Sequence, residues 1–140
     1  TVTIDIGSLD AAYLGDGFYG KEPLAGNITA RWTGEKATVH LPVITANQVQ
    51  IEVQARIFRP EGVPETAVTV WLDDLEVGQF TPTTEWQTYT FSVTLPPETA
   101  VDHLIFKSTT FNPANLQLSS DPRDLGFLID WIRLAEQPDE

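Results

Sequence analysis

Cysteine and methionine are both absent from the 140 residues. Without cysteine there is no disulfide, no zinc–thiolate site and no thiol nucleophile. Such a chain survives oxidising and reducing surroundings alike, so the compartment stays open. Long apolar runs are missing too: none approaches the roughly 18 residues of a membrane span. No basic stretch leads into an apolar one, and direct membrane insertion is not expected. The lack of methionine, even at position 1, leads us to expect a processed chain or a module of a larger protein. Basic residues are scarce, 8 against 20 acidic, for a formal charge of −12. A phosphate backbone needs a basic footprint, so nucleic acid is excluded as a partner, and anionic membrane surfaces are disfavoured for the same reason. The acidity itself needs no explanation beyond solubility.

Histidine is nearly absent. His40 and His103 lack metal-ligand spacing, and neither lies near a serine in a nucleophile-elbow motif. Asp102-His103 reads as a solvated strand start. The Gly15 to Gly20 cluster precedes no helix, so it is no phosphate cradle. A carboxylate pair of glycosidase type cannot be placed from spacing alone. The chain therefore reads as a non-enzyme.

What remains is β-structure. Composition is 41% hydrophobic and 20% charged, ordinary for a globular chain, and the length suits one domain with its own core. Val49–Phe58 alternates, with Val49, Ile51, Val53, Ala55 and Ile57 opposite Gln50, Glu52, Gln54 and Arg56. Gln87–Leu95 alternates likewise, until Pro96-Pro97 stops it. Strands are also predicted over 1–7, 27–32, 37–41, 67–72, 76–80 and 101–108. Thr33-Gly34-Glu35-Lys36 reads as a hairpin turn, and so does Asp73-Asp74. Ser8–Glu22 has too much glycine for a helix and too many aromatics for a linker, so it reads as a structured loop packed on the domain. Arg59–Pro64 reads as a Pro/Gly turn and Thr109–Arg123 as a polar loop. The apolar stretch Leu125–Leu134 reads as a central strand covered on both faces. About nine short strands at turn spacings of roughly 8 to 12 residues indicate an all-β chain, a single β-sandwich of jelly-roll type. Its domain is expected over 1–135, with 136–140 an acidic tail or linker remnant.

Three segments carry a resemblance. They are Ile4-Asp5-Ile6-Gly7 with Gly17-Phe18-Tyr19 and Glu22; Ala30-Arg31-Trp32-Thr33; and Phe111-Asn112-Pro113 followed by Ser120-Asp121-Pro122-Arg123-Asp124-Leu125-Gly126. Together they resemble the accessory jelly-roll domains of bacterial polysaccharide-processing proteins and membrane glycosyltransferases. Those domains are similar to galactose-binding-like sandwiches and carbohydrate-binding modules. The resemblance implies an extracellular, periplasmic or cell-surface setting within a larger protein, and a carbohydrate as the first ligand to test. It also implies that a structural calcium can lie between the first loop and the last strand. Asp121 and Asp124 are the principal candidate ligands, with Asp5, Asp10 and Asp16 of the first segment as further oxygen donors, although no Asp-x-Asp-x-Asp spacing exists.

A sugar site needs an apolar platform and a few planar polar groups. The aromatic candidates are Tyr19, Trp32, Trp71 and Trp86. Trp71 lies out of step with Val68, Val70 and Leu72, so it faces away from them. Trp32 ends a strand and Trp86 enters one, while Trp131 reads as core. Glu22, Arg31 and Arg123 are the polar candidates. They either take sugar hydroxyls or pair among themselves and with Asp130, pinning the first loop to the last strand. Asn27-Ile28-Thr29 matches a glycosylation sequon, relevant only in a eukaryotic secretory host. Two functions follow: a non-catalytic carbohydrate-binding module, or a structural domain that docks on a neighbouring domain. Solvent-facing tryptophans beside polar groups favour the first; four buried ones favour the second.

Overall fold

The computed structural model describes residues 2–6, 12–24, 28–45, 47–58, 65–115 and 123–137. Ten strands form: β1 (Val2–Asp5), β2 (Phe18–Leu24), β3 (Ile28–Thr33), β4 (Lys36–Ile44), β5 (Gln48–Arg56), β6 (Val68–Leu72), β7 (Leu75–Phe80), β8 (Gln87–Thr94), β9 (Val101–Ser108) and β10 (Leu128–Gln137). They make two sheets. One runs β2-β3-β10-β5-β8, with β1 also on β10; the other runs β4-β9-β6-β7. β10 is central, as expected, with β3 and β1 along one edge and β5 along the other.

The alternating strands behave as their period dictates. Val49, Ile51, Val53 and Ala55 of β5 are buried, and so are Val68, Val70 and Leu72 of β6. They meet Val39, Leu104 and Phe106 of the second sheet in one core, where Phe127 stands edge-on to Phe80 and Phe106. Burying that many branched and aromatic side chains is what holds the sheets face to face.

Three expectations need correction. The glycine-rich first segment is not all loop: Phe18–Leu24 forms β2 along the outer edge of β3. An edge position is what lets Pro23, which cannot donate a ladder hydrogen bond, sit in a strand. Gly17, at φ +94°, turns the chain into it where an added Cβ would strike the Lys36 carbonyl. Thr33-Gly34-Glu35-Lys36 is no hairpin either. β3 and β4 belong to different sheets, and the turn carries the chain from one to the other. It is clamped by Gly34 N–H on the Gly17 carbonyl (2.7 Å) and Thr33 N–H on the Phe127 carbonyl (2.8 Å). The Asp73-Asp74 turn, by contrast, does join two paired strands, β6 and β7, with Asp73 at φ +49°.

The third correction concerns Trp131. A register shift falls between Ile129 and Trp131 as β10 pairs with β5. The extra residue, Asp130, re-phases the strand. Ile129 and Ile132 both stay inside, opposite Ala55 and Val53, while Trp131 and Arg133 turn outward opposite Gln54 and Glu52. Trp131 is half-buried on the sheet's outer face rather than core. β10 continues to Gln137, pairing Glu136 with Val49 and Gln137 with Gln48, two residues past the boundary expected at 135. The turn 59–64 lies outside the described residues.

Candidate functional site

The expected site residues fall in three places. At the end where β2 and β3 approach the entry to β10, Tyr19, Arg31 and Arg123 converge. The Tyr19 hydroxyl donates to the Asp124 carbonyl (2.8 Å), and Arg31 Nη1 donates to the Tyr19 carbonyl (3.0 Å). The Arg123 guanidinium lies 5.3 Å from the Tyr19 ring centroid, a cation–π distance. The Glu22 backbone pairs with Ala30 beside them. Behind this group Trp32 is 6% exposed, edge-on to Phe111 with centroids 5.9 Å apart; it has no open ring face to offer. Asp124, the described member of the expected calcium pair, accepts at its carboxylate from Asn112 Nδ2 (3.1 Å). Asp10 and Asp121 lie outside the described residues, as does Asn27 of the sequon.

Trp71 stands on the outer face of the four-stranded sheet, as its phase requires. Lys107 Nζ lies 4.4 Å over its ring, and its indole N–H donates to Thr69 Oγ1 (3.1 Å). An open depression of about 670 Å³ lies alongside, with Lys36, Thr69, Lys107 and Thr110 in its wall. Trp86 sits at the rim before β8, partly packed on the core. Arg56 lies 5.7 Å from its ring and 4.0 Å from that of Phe58, which is 47% exposed. Among the described residues, the buried Arg56 Nε has no acceptor.

A fourth place was not foreseen. On the outer face of the six-stranded sheet, Trp131 lies in a cross-strand row with Asp5 of β1 and Gln54 of β5, and Gln54 continues to Thr88 of β8. The next row holds Thr3, Arg133, Glu52 and Thr90. The Thr88 hydroxyl donates to Gln54 Oε1 (2.7 Å), and Arg133 Nη1 lies 3.8 Å from Glu52 Oε1. One half-buried indole is thus framed by an amide, a guanidinium–carboxylate pair and three threonine hydroxyls. Beside it, burial raises the pKa of Asp130, and the Asp5 carboxylate raises it further. Asp130 therefore faces a like charge rather than the arginines expected to pair with it, and no cation among the described residues offsets the shift. The signal was in the sequence: Ile129, Ile132 and Leu134 are spaced three and then two, a period no regular strand keeps.

No protein-family model matches the chain, and no curated protein sequence matches it. Solved structures do. The C-terminal CBM6 of LamC from Zobellia galactanivorans aligns at 15% identity over 96% of this chain and 98% of that one, with TM-score 0.60. CBM35 from Paenibacillus barcinonensis aligns at 12% identity over 98% of this chain and 100% of that one, with TM-score 0.57. The ANX1 ectodomain from Arabidopsis thaliana aligns at 16% identity over 98% of this chain but 41% of its own, with TM-score 0.60. At such identities the likeness shows the fold: the chain is an all-β jelly-roll sandwich of the kind that carbohydrate-binding modules use.

Proposed function

We propose that this domain is a non-catalytic carbohydrate-binding module that holds a glycan against Trp131 on the outer face of the six-stranded sheet. The observation that carries the reading is that half-buried indole, set in a row of planar and hydroxylated side chains on the central strand of the larger sheet. A pyranose offers an apolar C–H face and a rim of hydroxyls. The indole takes the face. Gln54, with its Oε1 engaged by Thr88, has its amide nitrogen left to donate, and the Glu52–Arg133 pair supplies an acceptor and a fork of donors. Asp5, Asp130 and Glu52 outnumber Arg133 and Arg56 on this face, so a neutral glycan fits it better than a uronate polymer. Trp71, with Lys107 over its ring, is the alternative platform. The Tyr19, Glu22, Arg31 and Arg123 end would serve as an edge subsite or as the brace of the first segment. In the wider reading the module is an accessory part of a larger secreted or surface protein.

A titration of tryptophan fluorescence against soluble neutral glucans, xylans, galactans and mannans tests this, with a polyuronate for contrast. A saturable blue shift with a neutral glycan, weakened at least about tenfold (about 1.4 kcal/mol) by Trp131→Ala and kept by Trp71→Ala, is the expected outcome. If Trp71→Ala abolishes binding instead, the platform is on the other sheet. If no glycan shifts the spectrum, the domain is a docking unit, with the exposed Phe58 and its Arg56 neighbour as the first contact to examine.

A further inference from the structure

The chain's two histidines, which no spacing rule connects, are cross-strand partners. His40 of β4 stands directly opposite His103 of β9, with ring centroids 4.9 Å apart. With no cysteine anywhere, these are the chain's only side-chain donors of the borderline-soft kind. Carboxylates gather at the same point. Asp102 Oδ1 lies 2.6 Å from His103 Nδ1, and Asp73 Oδ1 lies 3.6 Å from the same nitrogen. One donor atom from each of Asp73, Asp102 and His103 falls within 4.8 Å of the others. Asp73 reaches this position because its turn places it at φ +49° against β9. The Asp102 and His103 backbone N–H groups donate to its Oδ1, at 3.4 and 3.0 Å, and hold it there. The group stands on the outer face of the four-stranded sheet, partly open to solvent.

We propose that Asp73, Asp102 and His103 form a binding site for a divalent transition ion of the zinc type, with His40 as the neighbour able to complete it. Two donors about 2.1 Å from a tetrahedral ion lie about 3.4 Å apart. The Asp73–His103 separation already meets that figure. The Asp102–His103 contact, 2.6 Å, has to open by about 0.8 Å to reach it, and the ion comes to lie between those two atoms. One nitrogen and two carboxylate oxygens suit zinc; calcium and magnesium prefer an all-oxygen shell of six or more ligands. His40, or a water in its stead, takes the fourth position. This site shares no residue with the proposed glycan face and stands or falls without it.

The test is isothermal titration of the purified domain with zinc chloride, repeated with calcium and magnesium chloride and followed by melting with and without zinc. The expected result is saturable one-to-one zinc binding, a rise in Tm because the ion binds the native state, and no comparable effect of calcium or magnesium. Losing even an outer partner of a metal site costs about ten- to a hundredfold in affinity. His103→Ala and Asp102→Asn must each therefore weaken binding by at least about tenfold while melting like the parent protein without zinc. Visible absorption of the cobalt(II) form, lost in His103→Ala, reports the nitrogen donor directly. Absence of saturable zinc binding overturns the proposal. So does binding that survives His103→Ala, because the ion would then sit on surface carboxylates elsewhere.

Discussion

Replacing Trp32 and Trp131 one at a time tests the re-phasing of β10, because the sequence reads Trp131 as core and Trp32 as a strand-end candidate, and the structure reverses the two. Trp32 is 6% exposed and locked edge-on to Phe111. Truncating a buried tryptophan to alanine costs about 3–5 kcal/mol. At about 2.1 cal/mol/K per residue, a chain of this length unfolds with an entropy of about 0.3 kcal/mol/K at its midpoint. Trp32→Ala should therefore lower Tm by about 10–17 °C. Trp131 faces outward between Asp5 and Gln54, so its removal leaves a groove that water fills instead of a cavity. The transfer loss for a partly exposed ring stays below about 1.5 kcal/mol, which is about 5 °C or less. Thermal melts followed by circular dichroism read both numbers. Acrylamide, a neutral quencher that this acidic chain does not repel, gives a second readout: Trp131→Ala removes quenchable emission and Trp32→Ala removes protected emission. Equal losses of stability would mean that Trp131 is packed as core and that no bulge turns it out.

Two further outcomes follow from the same region. Gly126 sits where a Cβ would meet Thr33 Oγ1, with Ser108 Oγ at 2.6 Å and the Gly34 carbonyl at 3.0 Å. Gly126→Ala should destabilise by about 1–3 kcal/mol through overpacking, measured by urea unfolding, and an unchanged midpoint would show that the crossover gives way easily. Asp130, its pKa raised by burial and by Asp5, holds its proton in the native state at pH values where the unfolded chain has lost it. Its contribution to stability is complete below the ordinary value of 3.8 and is lost as pH rises through the raised native value. Asp130→Asn should thus raise Tm at pH 7 and leave it nearly unchanged at pH 3. A lower Tm at pH 7 would mean that the carboxylate is stabilised by a cation instead.

Strand periodicity carried most of the fold. β5 and β8 alternate for eight or nine residues, and a polar–apolar alternation that long has one buried face whatever the chain does elsewhere. The phase of Trp71 against Val68, Val70 and Leu72 was legible for the same reason. The absence of cysteine and the scarcity of basic residues restrict the chemistry through composition alone. Partner choice was not legible. A glycine-bearing turn between two strands looks the same whether it closes a hairpin or crosses between sheets, so Thr33–Lys36 could be resolved only by which strands β3 and β4 pair with. β2 forms because β3 offers it an edge, not because its own glycine and proline favour a strand.

The candidate sites divide along the same line. The residue types were determined by the sequence alone: four tryptophans, a scatter of carboxylates and amides, two histidines. Only tertiary structure decided which of them meet. One inserted residue at Asp130 sends Trp131 to the surface, since a side-chain period of two inverts with a single step. One antiparallel register sets His40 against His103, because contacts between strands far apart in the chain are chosen by the packing of whole sheets and leave no mark in local spacing.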